Sequence, residues 1–580
     1  MMKLLGYLKH GYIKETVLSP LFKCIEAVLE LFVPVVVADI IDKGIGGGNK
    51  GYVINMCLLL AGIGLTGLLF SVTAQFFAAK AATGFAKRVG GALFRHIQGL
   101  SYTDLDETGA STLITRMTSD LNQVQTGVNM TLRLLLRSPF IVFGAMIMAF
   151  TIDVQSALVF AAAIPVLSAI VFGIMLVCIP LYKSVREKLD KVLEKTRENL
   201  TGARVIRAFC KEEKEIGEFE AANSVLTDEQ KHVGRISALM NPLTFAVINI
   251  AIIALIWCGA WRVDSGALTQ GEVVALYNYM SQILVELIKL ASLIITITKA
   301  VACGNRIEAA LESGEGMSEG TESGGFSGYK YSVEFRNVSF SYKGGGESSL
   351  ENIDFAAEKG SVIGIIGGTG SGKTTLVNLI PRFYDATKGD IYIDGIDIKD
   401  YKTEALREKI GVVPQKAALF KGSIRDNMKW GKENATDEEI YKALEIAQAK
   451  EVVDGKEGGL DYVIEQGGKN LSGGQRQRLT IARALVKKPE ILILDDSASA
   501  LDFATDARLR KALKELKDTT VFIVSQRTSS IRHADKIIVL DDGKAVGTGT
   551  HDELLKSCEV YSEIYNSQFR KEGAAGESNR

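Results

Sequence analysis

The run Ser361-Val362-Ile363-Gly364-Ile365-Ile366-Gly367-Gly368-Thr369-Gly370-Ser371-Gly372-Lys373-Thr374 decides how this chain is read. An apolar, strand-like run leads into a complete G-x-x-x-x-G-K-[ST] loop, and a helical stretch follows, which is the context this motif requires. Gly367, Gly368, Gly370 and Gly372 let backbone N–H groups approach phosphate oxygens, with Thr369 and Ser371 between them, and the helix start favours an anion. Lys373 reaches the terminal phosphates. Thr374 supplies a hydroxyl to a magnesium ion, and Thr375 beside it joins the nucleotide-binding set.

Working outward, Ile491-Leu492-Ile493-Leu494-Asp495 reads as a buried strand ending in a magnesium-holding carboxylate. The soluble region around these motifs, 331–569, alternates strand-like and helical runs and is therefore an α/β domain. Before it, 312–330 is rich in Gly, Ser and Glu and reads as a flexible linker. After it, 570–580 is polar and reads as a disordered tail.

The first part of the chain, 1–311, is of a different kind. Overall the 580 residues are 47% hydrophobic, with a mean hydropathy of +0.15, and the apolar residues concentrate here. A helical span takes roughly 20 apolar residues, and six stretches qualify, near 17–42, 52–80, 132–152, 154–182, 239–261 and 271–300. Cations crowd the even-numbered connections, among them Lys87, Arg88, Arg116, Arg186, Arg204 and Lys211, which makes those connections and both termini cytoplasmic. The connections are long and helical in pattern, interrupted at Asp106-Glu107-Thr108-Gly109 and Thr201-Gly202-Ala203-Arg204, where a short cross-helix can form. Met1 to Glu15 shows no cleavable signal and suits a short amphipathic helix in the inner membrane interface. Acidic and basic residues number 68 and 67, for a net charge of -1, which argues against a nucleic-acid partner. Seven scattered cysteines form no CxxC pair, so neither a disulfide framework nor a zinc site is expected.

With Leu471-Ser472-Gly473-Gly474-Gln475 followed by Arg476, Gln477 and Arg478, the chain resembles the ABC transporters over nearly its whole length. Tyr342 matches the aromatic that stacks on adenine, Gln415 in Val413-Pro414-Gln415 matches the Q-loop, which also contributes to the metal site, and Ser499-Ala500-Leu501-Asp502 matches the D-loop. Segments 104–120 and 198–219 are similar to the first and second intracellular loops. The resemblance implies a bacterial exporter half-transporter: a six-span helical transmembrane domain with long cytoplasmic extensions, fused to an α/β P-loop cassette that takes ATP and Mg2+, placed in the inner membrane with the cassette in the cytoplasm.

Two cassettes of this family face head to tail. Each ATP then lies between one chain's phosphate loop and the other chain's signature, so Ser472, Gly473, Gly474 and Gln475 serve the partner's nucleotide. In the site built on Lys373 and Asp495, Asp496 stands where the family carries a catalytic glutamate. Gln526, in Ser525-Gln526-Arg527, stands where it carries a histidine. A carboxylate one methylene shorter and a neutral amide blunt hydrolysis more than binding. The intact signature implies a different partner chain that carries the consensus Glu and His, the heterodimeric multidrug type with one degenerate site. A homodimer with benign variation is the alternative.

The substrate signal lies in the sixth span. Asn278, Gln282, Glu286, Lys289, Ser292 and Thr296 recur at three- or four-residue spacing and form a polar stripe. A charge at mid-membrane is costly, so Glu286 and Lys289 face either a watery path or each other. Asp39 and Asp42, at the outer end of the first span, are a second, weaker pair that is either a gate or ordinary interfacial solvation. The expected cargo is a small amphipathic or lipophilic, drug-like compound. Lipid or peptide export, and an ATP-gated channel or regulatory subunit, are the other readings.

Overall fold

The computed structural model describes residues 2–9, 11–314, 316–325, 328–344, 346 and 348–576. By contacts the chain falls into two units, Met1–Gln98 with Ala110–Ser313, and Gly99–Gly109 with Gly314–Arg580.

The first unit is helical. Lys50–Gly99 and Val154–Thr201 run for 50 and 48 residues, and Gln270–Glu312 for 43. At 1.5 Å per residue each is far longer than a bilayer's apolar thickness. The expected long extensions are therefore present as continuous helix. Among the described residues, five stretches are long and apolar enough to span: Lys50–Gly99, Ala110–Ile152, Val154–Thr201, Glu212–Asp264 and Gln270–Glu312. Five of the six expected spans meet this measure, and the first does not. The helix Ile13–Asp39, which carries the first expected span, holds Lys23, Glu26 and Glu30 within its apolar run. Those charges are compensated by packing, since Lys23 pairs with Glu26 and Arg137 pairs with Glu30.

The core of this unit joins Ala27, Leu31, Ile141, Ala145, Phe160, Leu255, Tyr279 and Ile283. Buried Tyr279 satisfies its hydroxyl by donating to the Leu31 carbonyl at 2.5 Å. Asp42, expected as half of a gate pair, accepts the Gly271 N–H at 2.8 Å and so caps the helix Gln270–Glu312. Gly271 is required there: a Cβ would stand 2.3 Å from the Ala38 carbonyl oxygen. Asp39 instead pairs with Lys43. Thr201–Arg204 does break the helix, and the short helix Ala203–Ala208 follows.

The second unit is α/β. Its strands are Tyr331–Phe340 (β1), Leu350–Glu358 (β2), Val362–Gly367 (β3), Lys388–Ile393 (β4), Ile396–Asp397 (β5) and Ile410–Val413 (β6). They continue with Gly422–Ser423 (β7), Val463–Ile464 (β8), Ile491–Asp495 (β9), Thr520–Val524 (β10), Lys536–Asp541 (β11) and Lys544–Gly549 (β12). The central sheet has the order β12-β11-β3-β10-β9-β6, parallel except for the β11/β12 hairpin. Its inner strands are apolar along their length, as strands covered on both faces must be. A second, antiparallel sheet runs β2-β1-β4-β5.

Two features differ from the sequence expectation. Residues 316–325 are held to the cassette by backbone hydrogen bonds: Gly320 and Glu322 N–H donate to Tyr401 and Asp400 carbonyls, and Lys402 N–H donates to Glu322. A segment rich in Gly and Ser is thus pinned, because its main chain finds partners that its side chains do not advertise. The helix Glu559–Gly576 runs past residue 570, and 577–580 of the expected tail lie outside the described residues.

Candidate functional site

Strands β3 and β9 end at the same edge of the sheet, separated by β10. That arrangement brings the loop after Gly367 and the carboxylates after Leu494 to one place, at the carboxyl ends of parallel strands where such folds bind ligands. A cavity of about 450 Å³ lies there, lined by Tyr342, Thr369, Gly370, Gly372, Lys373, Thr374, Thr375, Gln415, Asp495, Asp496 and Gln526, with Ser348, Ser349, Val524, Asp542 and Gly543. Gly367, Gly368 and Ser371 belong to the same loop beneath it.

The loop conformation demands glycine. Gly372 has φ +92, and a Cβ there would also stand 2.7 Å from the Ser349 carbonyl oxygen. Inside the loop, the Lys373 ammonium donates to the Gly367 carbonyl at 3.0 Å and to the Gly368 carbonyl at 2.5 Å. Burial pulls the Lys373 pKa down, opposed by the Asp496 and Asp495 charges. The Thr374 hydroxyl donates to Asp495 Oδ1 at 3.2 Å. Burial pushes Asp495 above the usual carboxylate value of 3.8, with Asp496 adding to the rise. Burial raises Asp496 as well, against Lys373, Arg527 and a hydrogen bond with Gln415.

This donor set suits magnesium, which takes oxygen ligands, keeps waters and needs only one or two carboxylates when phosphates supply the rest. Thr374, Gln415 and Asp495, which carry a hydroxyl, an amide and a carboxylate, all line the cavity. No group of three or more His, Cys, Asp or Glu placed to hold a metal ion by themselves occurs among the described residues. Thr374, Gln415 and Asp495 would hold the ion, which when bound would supply positive charge against the nucleotide's terminal phosphates. Tyr342, half-buried, donates or accepts a hydrogen bond with the Thr375 hydroxyl at 3.1 Å and meets Tyr384 edge-on, which orients its ring at the cavity mouth.

Asp496 has φ +45, a left-handed conformation uncommon outside glycine. Its N–H donates to the Val524 carbonyl at 3.0 Å, which fixes the turn. Gln526 is exposed, and its carbonyl accepts from Gln568 Nε2 at 2.7 Å. Gln568 also accepts from the Thr528 N–H and hydroxyl. The helix Glu559–Gly576 thereby holds the loop that presents Gln526, a role no sequence signal announced.

The signature does not line this cavity. Ser472 caps the helix Gly473–Val486, its hydroxyl accepting the Gln475 N–H while Gln475 Oε1 accepts the Ser472 N–H at 3.0 Å. Ser472 and Gly473 are exposed at the positive end of a 14-residue helix. Asp502 likewise caps Phe503–Lys514 and stands outside the cavity. The elements expected to bind nucleotide thus fall into two groups, those that line the cavity and those that stand outside it.

Residues 104–109 of the stretch similar to the first intracellular loop also belong to the cassette's unit. In the short helix Tyr102–Thr108, Tyr102 stacks on Phe383 with centroids 4.5 Å apart, and Asp106 accepts the Tyr384 hydroxyl at 2.6 Å. Sequence reading missed this anchor. Tyr102 and Asp106 are one helical turn apart, a spacing that could have signalled a docking face.

Comparison with known proteins places the chain. Residues 16–287 match the model for the ABC transporter transmembrane region, and residues 350–499 match that for the ABC transporter domain. An uncharacterized ABC transporter ATP-binding protein of Bacillus subtilis, YfiB, is 36% identical over 99% of this chain and 100% of its own length. The chain belongs to the ABC transporters. An ATP-dependent lipid A-core flippase of Desulfotalea psychrophila is 34% identical over 82% of this chain and 83% of its own. A putative multidrug export ATP-binding/permease protein of Bacillus subtilis, YgaD, is 33% identical over 85% of each. In fold, a bacterial Atm1-family ABC exporter with ATP bound superposes with a TM-score of 0.79 at 23% identity, covering 96% of this chain and 98% of that one. This ABC transporter thus has the fold of a bacterial ABC exporter, a helical transmembrane region joined to an ATP-binding domain.

In the membrane domain, the stripe residues have unequal surroundings. Glu286 is 3% exposed and accepts from Arg137, Ser138 and Lys289. Of the two expectations, facing each other holds for Glu286 and Lys289, and Arg137 is the partner that the sequence did not reveal. Asn278 and Gln282 are half-buried on the same helix.

Proposed function

We propose that this ABC transporter is one half of a heterodimeric exporter that moves amphipathic or lipophilic, drug-like compounds out of the bacterial cell by alternating access. Its own Lys373, Thr374 and Asp495 hold ATP and Mg2+ in a site that turns over slowly. Its Ser472, Gly473 and Gly474 complete a fully active site on the partner's phosphate loop. The cassette and both termini are cytoplasmic, the spans lie in the inner membrane, and the helix Met2–Lys9 lies at the interface.

The observation that carries this reading is the presence of Asp496 and Gln526 in the same cavity as Lys373 and Asp495. A carboxylate one methylene short of the expected base sits farther from the water it must polarise. A neutral amide supplies none of the positive charge that a histidine can carry. Losing general-base geometry costs roughly 10² to 10⁴ in rate, while the loop that binds the nucleotide is untouched. ATP is therefore held longer than it is hydrolysed.

Lipid export is the second reading, supported by the flippase relative. The discriminating experiment purifies the chain alone and together with a half-transporter encoded beside it, then measures ATPase activity and uptake of dyes and labelled lipids in proteoliposomes. Activity only in the pair supports the heterodimer. Robust transport-coupled hydrolysis by the chain alone would overturn it.

A further inference from the structure

Six ionisable side chains meet where the helices Ile13–Asp39, Arg137–Ile152 and Gln270–Glu312 pack together. Lys23 donates to Glu26 at 2.5 Å and to the Ser71 hydroxyl at 2.9 Å. Arg137, 8% exposed, donates to Glu30 Oε2 at 2.6 Å and to Glu286 Oε1 at 2.7 Å, with Glu26 at 3.9 Å. Glu286 also accepts from the Ser138 hydroxyl at 2.7 Å and from Lys289 at 2.8 Å. Lys23, Arg137 and Lys289 balance Glu26, Glu30 and Glu286, so the cluster is neutral. That balance makes it tolerable in a low-dielectric bundle, where a lone charge is expensive.

Within the cluster, Lys289, Glu286, Arg137 and Glu30 form a row of alternating sign. Its interior members are buried: Glu286 accepts from three donors, and Arg137 has both terminal nitrogens engaged, leaving only Nε without a hydrogen-bond partner among the described residues. Its ends are not: the Glu30 side chain is 37% exposed with only Oε2 engaged, and the Lys289 side chain is 43% exposed with only Glu286 engaged, among the described residues. One turn before Glu286, buried Gln282 Oε1 has no hydrogen-bond partner among the described residues. Phe140 and Val285, within two residues of Ser138 and Glu286, expose apolar surface.

We infer that the row from Glu30 to Lys289 is a headgroup site for a zwitterionic amphiphile, whose anionic group sits on Lys289 and whose cationic group sits on the free oxygen of Glu30. A singly charged ligand uses one end only and leaves net charge in a neutral, poorly solvated cluster. A zwitterion uses both ends and adds none. Neither contact requires an existing ion pair to break. This deepens the export reading by naming a substrate class, and it relies on that reading only for the direction of movement.

The test measures binding to the full chain, purified with its partner, by titration calorimetry in a non-ionic detergent. Dodecylphosphocholine, dodecyltrimethylammonium and dodecyl methyl phosphate share one tail and carry both charges, the cation alone and the single anion alone. The zwitterion is expected to bind about tenfold tighter than either ion, and Lys289→Gln or Glu30→Gln each removes that advantage. Lys289→Arg and Glu30→Asp retain it, which separates a headgroup role from a folding defect. A diacyl phosphatidylcholine arm distinguishes a membrane lipid from a single-chain amphiphile as the source of the headgroup. Equal or tighter binding of either singly charged probe, or amide variants that leave zwitterion binding unchanged, overturns the site. Zwitterion binding without proteoliposome uptake of any compound refutes export and leaves the site standing.

Discussion

The phosphate-loop cavity and the signature face are built on the same cassette from similar parts, yet they differ in what they lack. The cavity around Lys373 carries the phosphate loop, Thr374 and Asp495, and in the function proposed above Asp496 and Gln526 stand at the two positions that act on water. The signature face has Ser472, Gly473 and Gly474 at an exposed, capped helix start and carries no phosphate loop. Binding and hydrolysis are separable properties of an ATP site because different residues supply them. The position of a substitution relative to the γ-phosphate decides which property is lost.

The largest effect that would sharpen this contrast comes from the signature. Gly474→Asp places a carboxylate where, in the pairing proposed above, the partner's γ-phosphate sits, and a Cβ there already stands 3.1 Å from the Ala500 carbonyl oxygen. Substrate-stimulated ATPase of the paired transporter should fall by about 10² or more, comparable to losing a key anion-stabilising donor. Lys373→Ala, measured alongside, should abolish nucleotide retention by this chain while lowering turnover only about threefold. Equal losses would break the comparison.

Next in size is repair. Asp496→Glu together with Gln526→His, made in a Gly474→Asp background so that only the Lys373 site reports, should raise single-turnover hydrolysis about tenfold, the modest end of what general acid–base groups supply. Crosslinked ATP analogue release would register the same change as shortened retention.

A pH effect follows from the buried carboxylates. Because burial raises Asp495 and Asp496 above 3.8, protons compete with Mg2+ on the acid side of neutrality at a higher pH than for exposed aspartates. Magnesium-dependent ATP affinity at this site, read by calorimetry, should weaken as pH falls through that raised range and recover above it. Asp495→Asn should remove both the metal requirement and its pH dependence.

The smallest effect concerns the anchor outside the cavity. Tyr102→Ala removes a ring stacked on Phe383 and should lower the stability of the cassette's unfolding transition by about 1 kcal/mol, without changing ATP affinity. Calorimetric melting of the full chain is the measurement.

What was legible beforehand follows from how local each signal is. The phosphate loop, Asp495 and the signature could be read because each is a short run whose neighbours in sequence are its neighbours in space. The strand order that unites them was not legible, because it is set by pairings between segments far apart in the chain. Arg137 was invisible as a partner of Glu286 because 149 residues separate them. The pinned segment 316–325 was misjudged for the same reason, its hydrogen bonds being main-chain and distant in sequence. The first expected span carried three charges whose neutralisation depends on helices that only the tertiary fold brings near.

The left-handed backbone at Asp496 carries a consequence for anyone restoring this site. Aspartate is among the side chains that occupy that region with least penalty, and glutamate, lacking its short-range hydrogen-bonding reach, is not. The substitution that restores a catalytic base thus places a less tolerant residue at a strained position, costing on the order of 1 kcal/mol in local stability. At this turn, ease of folding and speed of chemistry pull in opposite directions, and the native residue lies on the side of the fold.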